Sequence, residues 1–240
     1  MLFRSDDSSA KTIAAAINAE TATTGISATA RTNLVLQSLS HAGTVSFTLT
    51  GTGSSSISAN VSTVSDLRNV RDAINSVAGS TGITATMYTG DNSKLLLSSA
   101  TGEDIKVVDF ASSGNAASTI AAYAANYDGT ALAQTNTLTR SADDSVTAVG
   151  QVRFSATGSF TVVGTTTAGA GTGYMAATTT AAAQSAVSSV TINTYANATA
   201  AINVIDGALL QIADQRGNLG AISNRLDNTI SNLTNIVTNT

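Results

Sequence analysis

Near the C-terminal end of the chain, Ile202, Ile205, Leu209, Ile212, Leu219, Leu226, Ile230, Leu233 and Val237 fall at alternating spacings of three and four. That is the seam of a heptad repeat, in which two positions in seven face a partner helix. With 202, 209, 216, 223, 230 and 237 as one seam position, only Arg216 and Ser223 are polar; the other position is apolar at 205, 212, 219, 226 and 233. The pattern predicts one helix of about 40 residues, roughly 60 Å long and longer than a compact domain of this size is wide. Much of it is expected to project from the rest. Nine large aliphatic side chains left in water forfeit on the order of 10–25 kcal/mol. No other segment carries a heptad pattern of matching length, so the partner is expected in another molecule or in a segment outside this chain.

Upstream the pattern changes and repeats itself. Ala16-Ile17-Asn18 recurs as Ala73-Ile74-Asn75, and Thr24-Gly25-Ile26-Ser27-Ala28-Thr29 as Thr81-Gly82-Ile83-Thr84-Ala85-Thr86, both 57 residues on. One offset serving two blocks marks an internal duplication. In each copy a helical stretch, Ser8 to Ala19 or Ser65 to Ala78, opens on Ser or Asp capping candidates and sets Ile13 and Ile17, or Val70, Ile74 and Val77, on one face. Strand-like runs follow, Ile26 to Leu39 and Ile83 to Leu97, the second broken by the turn signal Gly90-Asp91-Asn92. Each copy thus reads as a helix and then strands.

Between the copies, Val45 to Thr50 and Ile57 to Val61 alternate apolar and polar residues around Gly51-Thr52-Gly53, the period of half-buried strands joined by a turn. They are expected to bridge the two copies. Ala111 to Asp144 has weak periodicity, with Ile120, Tyr123 and Tyr127 suggesting a short helix or packed loop. Strand patterns return at Ala148 to Phe154 and Ser159 to Val163; the Thr/Ala/Gly tract Thr165 to Gln184 reads as a flexible connector, and Val187 to Ile192 as a last strand.

Composition narrows the class. Of the 240 residues 42% are apolar, but only 4% are aromatic and none is Trp, so the side chains available for burial are small and an elongated architecture is favoured. Charged residues are 11%, and the net charge of −4 with no Lys/Arg cluster argues against a nucleic-acid partner. No apolar run reaches the ~20 residues that span a bilayer, so no membrane insertion is expected. The absence of Cys removes disulfides, thiolate metal sites and cysteine nucleophiles together.

Within the heptad region, Gln215-Arg216-Gly217-Asn218-Leu219-Gly220-Ala221-Ile222-Ser223-Asn224-Arg225-Leu226 resembles the C-terminal motif of bacterial flagellins, with Leu226 where that family usually has Phe. Ala201 to Leu209 and Asn228 to Leu233 resemble the same helix, so the likeness runs from Ser189 to the end. The duplicated blocks, with Leu95 to Ile105, resemble the internal repeat of the variable, outward-facing region of flagellins. The resemblance implies a structural subunit of the extracellular flagellar filament, exported through the flagellar secretion channel with a secretion chaperone. Its partners would be other flagellin subunits and the N-terminal core helix, which this chain lacks. It also implies recognition by the Toll-like receptor for flagellin, carried over to Gln215, Arg216, Leu219, Gly220, Ala221, Asn224 and Arg225, and O-glycosylation in some members. Against the family pattern, the chain reads as a fragment that starts inside the variable region and stops before the terminal helix.

Candidate chemistry is sparse. His41 is the single histidine and reads as a surface turn residue; no His-Glu-x-x-His motif is present. The acidic pairs Asp6-Asp7, Glu103-Asp104 and Asp143-Asp144 read as caps or solvated loops, and Gly51-Thr52-Gly53 and Gly171-Thr172-Gly173 as turns. Arg216 either snorkels to a carboxylate such as Asp214 or sets register with a neighbour. Gly217 and Gly220, each costing up to about 1 kcal/mol inside a helix, suggest close approach by another backbone. The expected fold is α+β: an elongated β-rich variable domain with short helices from two internal repeats, then one long C-terminal coiled-coil-type helix. The expected division is 1–110, the two repeats; 111–185, a second β-rich part with the connector; and 186–240, the helical segment. No enzyme activity and no cofactor are expected, and a flagellin-derived adhesin or glycan-binding module is the alternative reading.

Overall fold

The computed structural model describes residues 9–140, 142–156, 158–163, 179–182, 186–193 and 195–239. The fold is α+β, in two compact units, Met1–Phe154 and Ser155–Thr240. In the first unit, α1 (Ala10–Ala19) and α2 (Thr21–Thr24) lead into β1 (Ile26–Gln37). The hairpin β2 (Gly43–Thr50) and β3 (Ser54–Val61) precedes α3 (Arg68–Ser76), α4 (Ala78–Thr81), β4 (Thr84–Tyr88) and β5 (Asp91–Ser99). There follow β6 (Ile105–Ser112), β7 (Thr119–Ala125), β8 (Ala131–Thr139), β9 (Val146–Ala148) and β10 (Gln151–Ala156). One sheet runs β4-β5-β1-β7-β8, with β10 also on β1, and a second runs β3-β2-β6-β9. Leu34, Leu36, Leu95, Leu97, Ile120 and Leu138 of the first meet Phe47, Leu49, Ile57, Ile105, Val107 and Phe110 of the second in one buried core.

The duplication is structural down to single hydrogen bonds. Asn18 Nδ2 donates to the Ala28 carbonyl (2.8 Å) while its Oδ1 accepts from the Ala28 N–H (2.7 Å); Asn75 makes the same pair with Ala85 (2.9 and 2.8 Å). A side-chain amide thus stands in for a strand partner and clamps the helix onto the strand that follows it. Gly25 and Gly82 end the short helices at φ 68° and 70°, a left-handed conformation that favours glycine, and each donates to the carbonyl four residues back at 2.8 Å. Thr24 and Thr81 each accept the N–H two residues on at 3.3 Å. Conservation of this bonding explains why Ile-Asn and Thr-Gly-Ile are the parts of the repeat visible in the sequence.

The copies differ in their cover. In the second, β3 packs on α3 and α4, and the hairpin turn lies on α4: Thr52 N–H and Oγ1 both donate to the Thr81 carbonyl at 2.9 Å. Val70, Ile74, Thr81 and Ile83 are fully buried there. The expected bridge between copies is therefore part of the second copy, with β2 paired to β6 on its other side. In the first copy Ala10 and Ala14 are the buried residues of α1, whereas Ile13, Ile17 and Ile26 are half-buried and Thr24 is exposed. The copies also diverge after the shared block: β1 continues unbroken for 12 residues, while the second copy turns at Thr89-Gly90, both at positive φ, into β5.

Several expectations are corrected. Ile120, Tyr123 and Tyr127 lie on no helix: Thr119–Ala125 is β7, Ala131–Thr139 is β8, and Tyr127 is in their turn, where Asp128 Oδ1 accepts the Thr130 N–H and Gly129 has φ 88°. The strands extend the β1 sheet across residue 110. Ala148 to Phe154 is two strands, β9 paired to β6 and β10 to β1.

In the second unit β11 (Phe160–Val163) pairs with β12 (Thr179–Ala182), so the end of the expected connector is a strand; 164–178 and 183–185 lie outside the described residues, as do Asp6 and Asp7. The expected strand Val187 to Ile192 begins instead as a 3₁₀ turn, Val187–Ser189, where Ser189 N–H (3.0 Å) and Oγ (2.8 Å) both donate to the Ala186 carbonyl. A local serine bond closes the turn in preference to a strand ladder. The last element is α5, Tyr195–Thr238, 44 residues long. Among the described residues no helix is long and apolar enough to cross a membrane.

Candidate assembly interface

The long helix forms because its sequence sustains helix-compatible residues from Tyr195 onward with no Pro to stop it. Three of its threonines turn their hydroxyls back to the backbone: Thr229, Thr234 and Thr238 donate to the carbonyls of Arg225, Ile230 and Thr234 at 2.7–2.8 Å. Those bonds occupy groups that would otherwise compete with the helix for partners.

Its seam is uncovered. Ile202, Ile205, Leu209, Ile212, Leu219, Leu226, Ile230, Leu233 and Val237 are all exposed, between 45% and 77%. Burying half of each against a partner is worth about 1–1.5 kcal/mol, so the row holds on the order of 10 kcal/mol that the single chain leaves unused. The structure adds what a two-position reading overlooked. Ile222 and Ile236, at 53% and 63% exposure, stand one residue ahead of the seam positions 223 and 237 and widen the apolar stripe on one flank. A count at three positions per heptad would have found them. Leu210, 63% exposed, lies off the stripe.

Gln215, Arg216, Leu219, Gly220, Ala221, Asn224 and Arg225 are all exposed on the same helix. Arg216 forms no ion pair among the described residues, Asp214 included, which leaves the guanidinium free for a neighbour. A Cβ placed on Gly217 or Gly220 would meet no atom within 4 Å. The close backbone approach these glycines suggest is not made by any of the described residues.

In the first unit the remaining candidates have local roles. His41 sits in a bend with Nδ1 2.8 Å from Ser40 Oγ. Glu103 takes a 2.9 Å ion pair from Lys11, tying α1 to the turn before β6. Asp143 accepts the Thr139 N–H through its carbonyl, and Asp144 Oδ1 accepts from Ser145 Oγ. Asp66 is held down to a pKa of about 2, first by the Arg68 guanidinium that donates to both its oxygens and then by the Arg68 N–H, at the entry to α3. One cluster was not legible in the sequence: Arg31 and Arg153 stand 5.4 and 5.1 Å from the Tyr127 ring centre.

Comparison with known proteins matches both features. A family model described as the flagellin hook IN motif covers residues 44–101, from the β2–β3 hairpin through β5, and one described as the bacterial flagellin C-terminal helical region covers 202–240, the seam of α5. A B-type flagellin of Pseudomonas aeruginosa is 36% identical over 200 residues, 82% of this chain and 39% of the relative. The chain thus spans about two fifths of the length of the curated relative it matches. With the hairpin, helix and sheet of the second copy under one flagellin model, the heptad helix under another and the relative aligned over most of the chain, this protein belongs to the bacterial flagellin family.

Proposed function

We propose that the chain acts as a structural subunit of the extracellular flagellar filament, packing through α5 against helices of neighbouring flagellin subunits and displaying its β-rich first unit. The role is mechanical and not catalytic. The uncovered stripe of α5 carries this reading: a row of aliphatic side chains 45–77% exposed along 44 residues needs a helical partner, and none is offered by the described residues. An N-terminal core helix of flagellin is the first expected partner. Gln215, Arg216, Leu219, Gly220, Ala221, Asn224 and Arg225 form the surface we assign to contact with neighbouring subunits and with the Toll-like receptor, and a secretion chaperone would shield the same helix before export.

The test is co-assembly. Fluorescently labelled chain is mixed with monomeric full-length flagellin, filaments are grown from seeds, and the label in the pellet is measured. Incorporation is expected, and Leu219→Asp with Leu226→Asp should abolish it while leaving the tyrosine-reported stability of the first unit unchanged. Equal pelleting of wild type and the double variant would overturn the role given to the seam.

A further inference from the structure

The two copies of the internal repeat share their bonding but not their cover, and that difference points to a missing element. Positions 13, 17, 24 and 26 correspond to 70, 74, 81 and 83. The second set is buried to 1% exposure or less; the first is half-buried at Ile13, Ile17 and Ile26 and exposed at Thr24. In the second copy the cover is the β2–β3 hairpin. Asn69 Nδ2 donates to the Asn60 carbonyl (2.8 Å), Ser55 Oγ lies 3.0 Å from Ser80 Oγ, and Thr52 bonds the Thr81 carbonyl. Gly51 and Gly53 let the turn sit close: a Cβ on either would strike the carbonyl of Thr81 or Ser80.

Helix α1 holds its strand by the same asparagine clamp as α3, and the α2 exit has the same glycine geometry, so the first copy presents a ready seat of the same shape. Glu20 replaces Val77 at the rim of that seat, where Val77 is itself half-buried and a carboxylate can reach water. Ala10, in place of Leu67, is already buried against β1 and Gly150.

We propose that the Ile13, Ile17, Ile26 and Thr24 face is a docking seat for a β-hairpin of the β2–β3 kind, with a Gly-x-Gly turn, supplied in cis from immediately ahead of α1. The order of elements carries the choice of source. In the complete copy the hairpin leads directly into its helix, and the end of β3 stays at the entry of α3, where Asn69 bonds the Asn60 carbonyl. A hairpin joined there has a high effective concentration, whereas an isolated hairpin in solution is marginal at best. A second molecule cannot lend its β2–β3 hairpin without uncovering its own Ile74 and Ile83.

The test grafts the chain's own hairpin. Residues 43–66 are duplicated in place of 1–9, directly ahead of Ala10, in the full-length protein, and amide hydrogen exchange is compared with the unfused chain. Exchange across Ala14 to Ala28 is expected to slow by at least about tenfold, and Ile13→Asp with Ile17→Asp in the fusion should reverse it. Disulfide trapping gives a second readout in a protein that has no cysteine of its own. A Cys at Thr24 and one at the duplicated Thr52 should cross-link as readily as Thr52→Cys with Thr81→Cys in the native copy. Unchanged exchange in a folded fusion, or no cross-link where the native pair forms one, overturns the proposal. So does a concentration-dependent dimer of the unfused chain that Ile13→Asp abolishes, which would give the face to a second copy.

Discussion

Ile17 and Ile74 are the same residue at the same place in a duplicated unit, and they differ in what covers them. Ile74 is fully buried between β3 and β4, so truncation to Ala removes three buried carbons and leaves a closed cavity; such deletions cost 2–5 kcal/mol, and about 3–4 is expected here. Ile17 is half-buried on a face that no described residue closes, so the same truncation loses about half the transfer energy and its gap is open to water. About 1–1.5 kcal/mol is expected. The difference of roughly 2 kcal/mol corresponds to about 4–8 °C in melting temperature for a unit of this size. Urea unfolding followed by tyrosine fluorescence is the suitable assay, because Tyr88, Tyr123 and Tyr127 report on the first unit, whereas far-UV circular dichroism is dominated by α5. The urea m-value should not change between the two variants. Equal losses within about 0.5 kcal/mol, or a larger loss at Ile17, would refute the assignment of cover to the β2–β3 hairpin.

Asn75→Ala leaves the buried Ala85 N–H and carbonyl without their side-chain partner and should cost about 2 kcal/mol; Asn18→Ala, which strips the equally buried Ala28 of the same pair of bonds, should cost a similar amount by the same unfolding assay. The folded pKa of Asp66 is depressed from an ordinary value near 3.8 to about 2, so the stabilisation it gives is present above pH 4 and lost as pH falls toward 2; Asp66→Asn should flatten the stability profile over that window, while a profile identical to wild type would contradict it. Gly51→Ala drives a Cβ into the Thr81 carbonyl and Ile83 and should cost on the order of 2 kcal/mol, whereas Gly217→Ala, with open space around it, should raise the helicity of the single chain and gain up to about 1 kcal/mol locally. Thermal melts of the first unit and exchange rates along α5 check the two.

Long-period signals were legible because they are written many times over. The heptad survives two polar interruptions at Arg216 and Ser223, and the 57-residue duplication survives because Asn18/Asn75 and Gly25/Gly82 each perform a task no other residue does as well. Strand β7 was illegible because its inward positions after Ile120 are Ala122 and Ala125, too small to raise an alternating signal, although Asp128-Gly129 marked the turn that follows. Val187 to Ile192 misled in the opposite direction, since a β-branched run forms a strand only with a partner to pair to. The unequal cover of Ile17 and Ile74 could not be read locally, because it depends on where a hairpin before the helix comes to rest. In the assembly interface the seam was legible and its width was not: Ile222 and Ile236 were hidden by reading two positions per heptad.

That width bears on what kind of assembly α5 is built for. A two-stranded coiled coil needs a narrow stripe, flanked by positions whose opposite charges fix the pairing. On α5 the flanking positions on one side are Ala208, Gln215, Ile222, Thr229 and Ile236, and on the other Asp206, Ala213, Gly220, Asp227 and Thr234, with no basic residue among them. Nothing there selects a single partner by charge. One flank instead continues the apolar stripe, while Gly220 on the other, with open space around it, leaves room for a backbone to come close. A helix apolar at the seam and along one flank and small along the other has surface for more than one neighbour at once, which favours the proposed subunit surrounded by copies of itself over a member of an isolated pair.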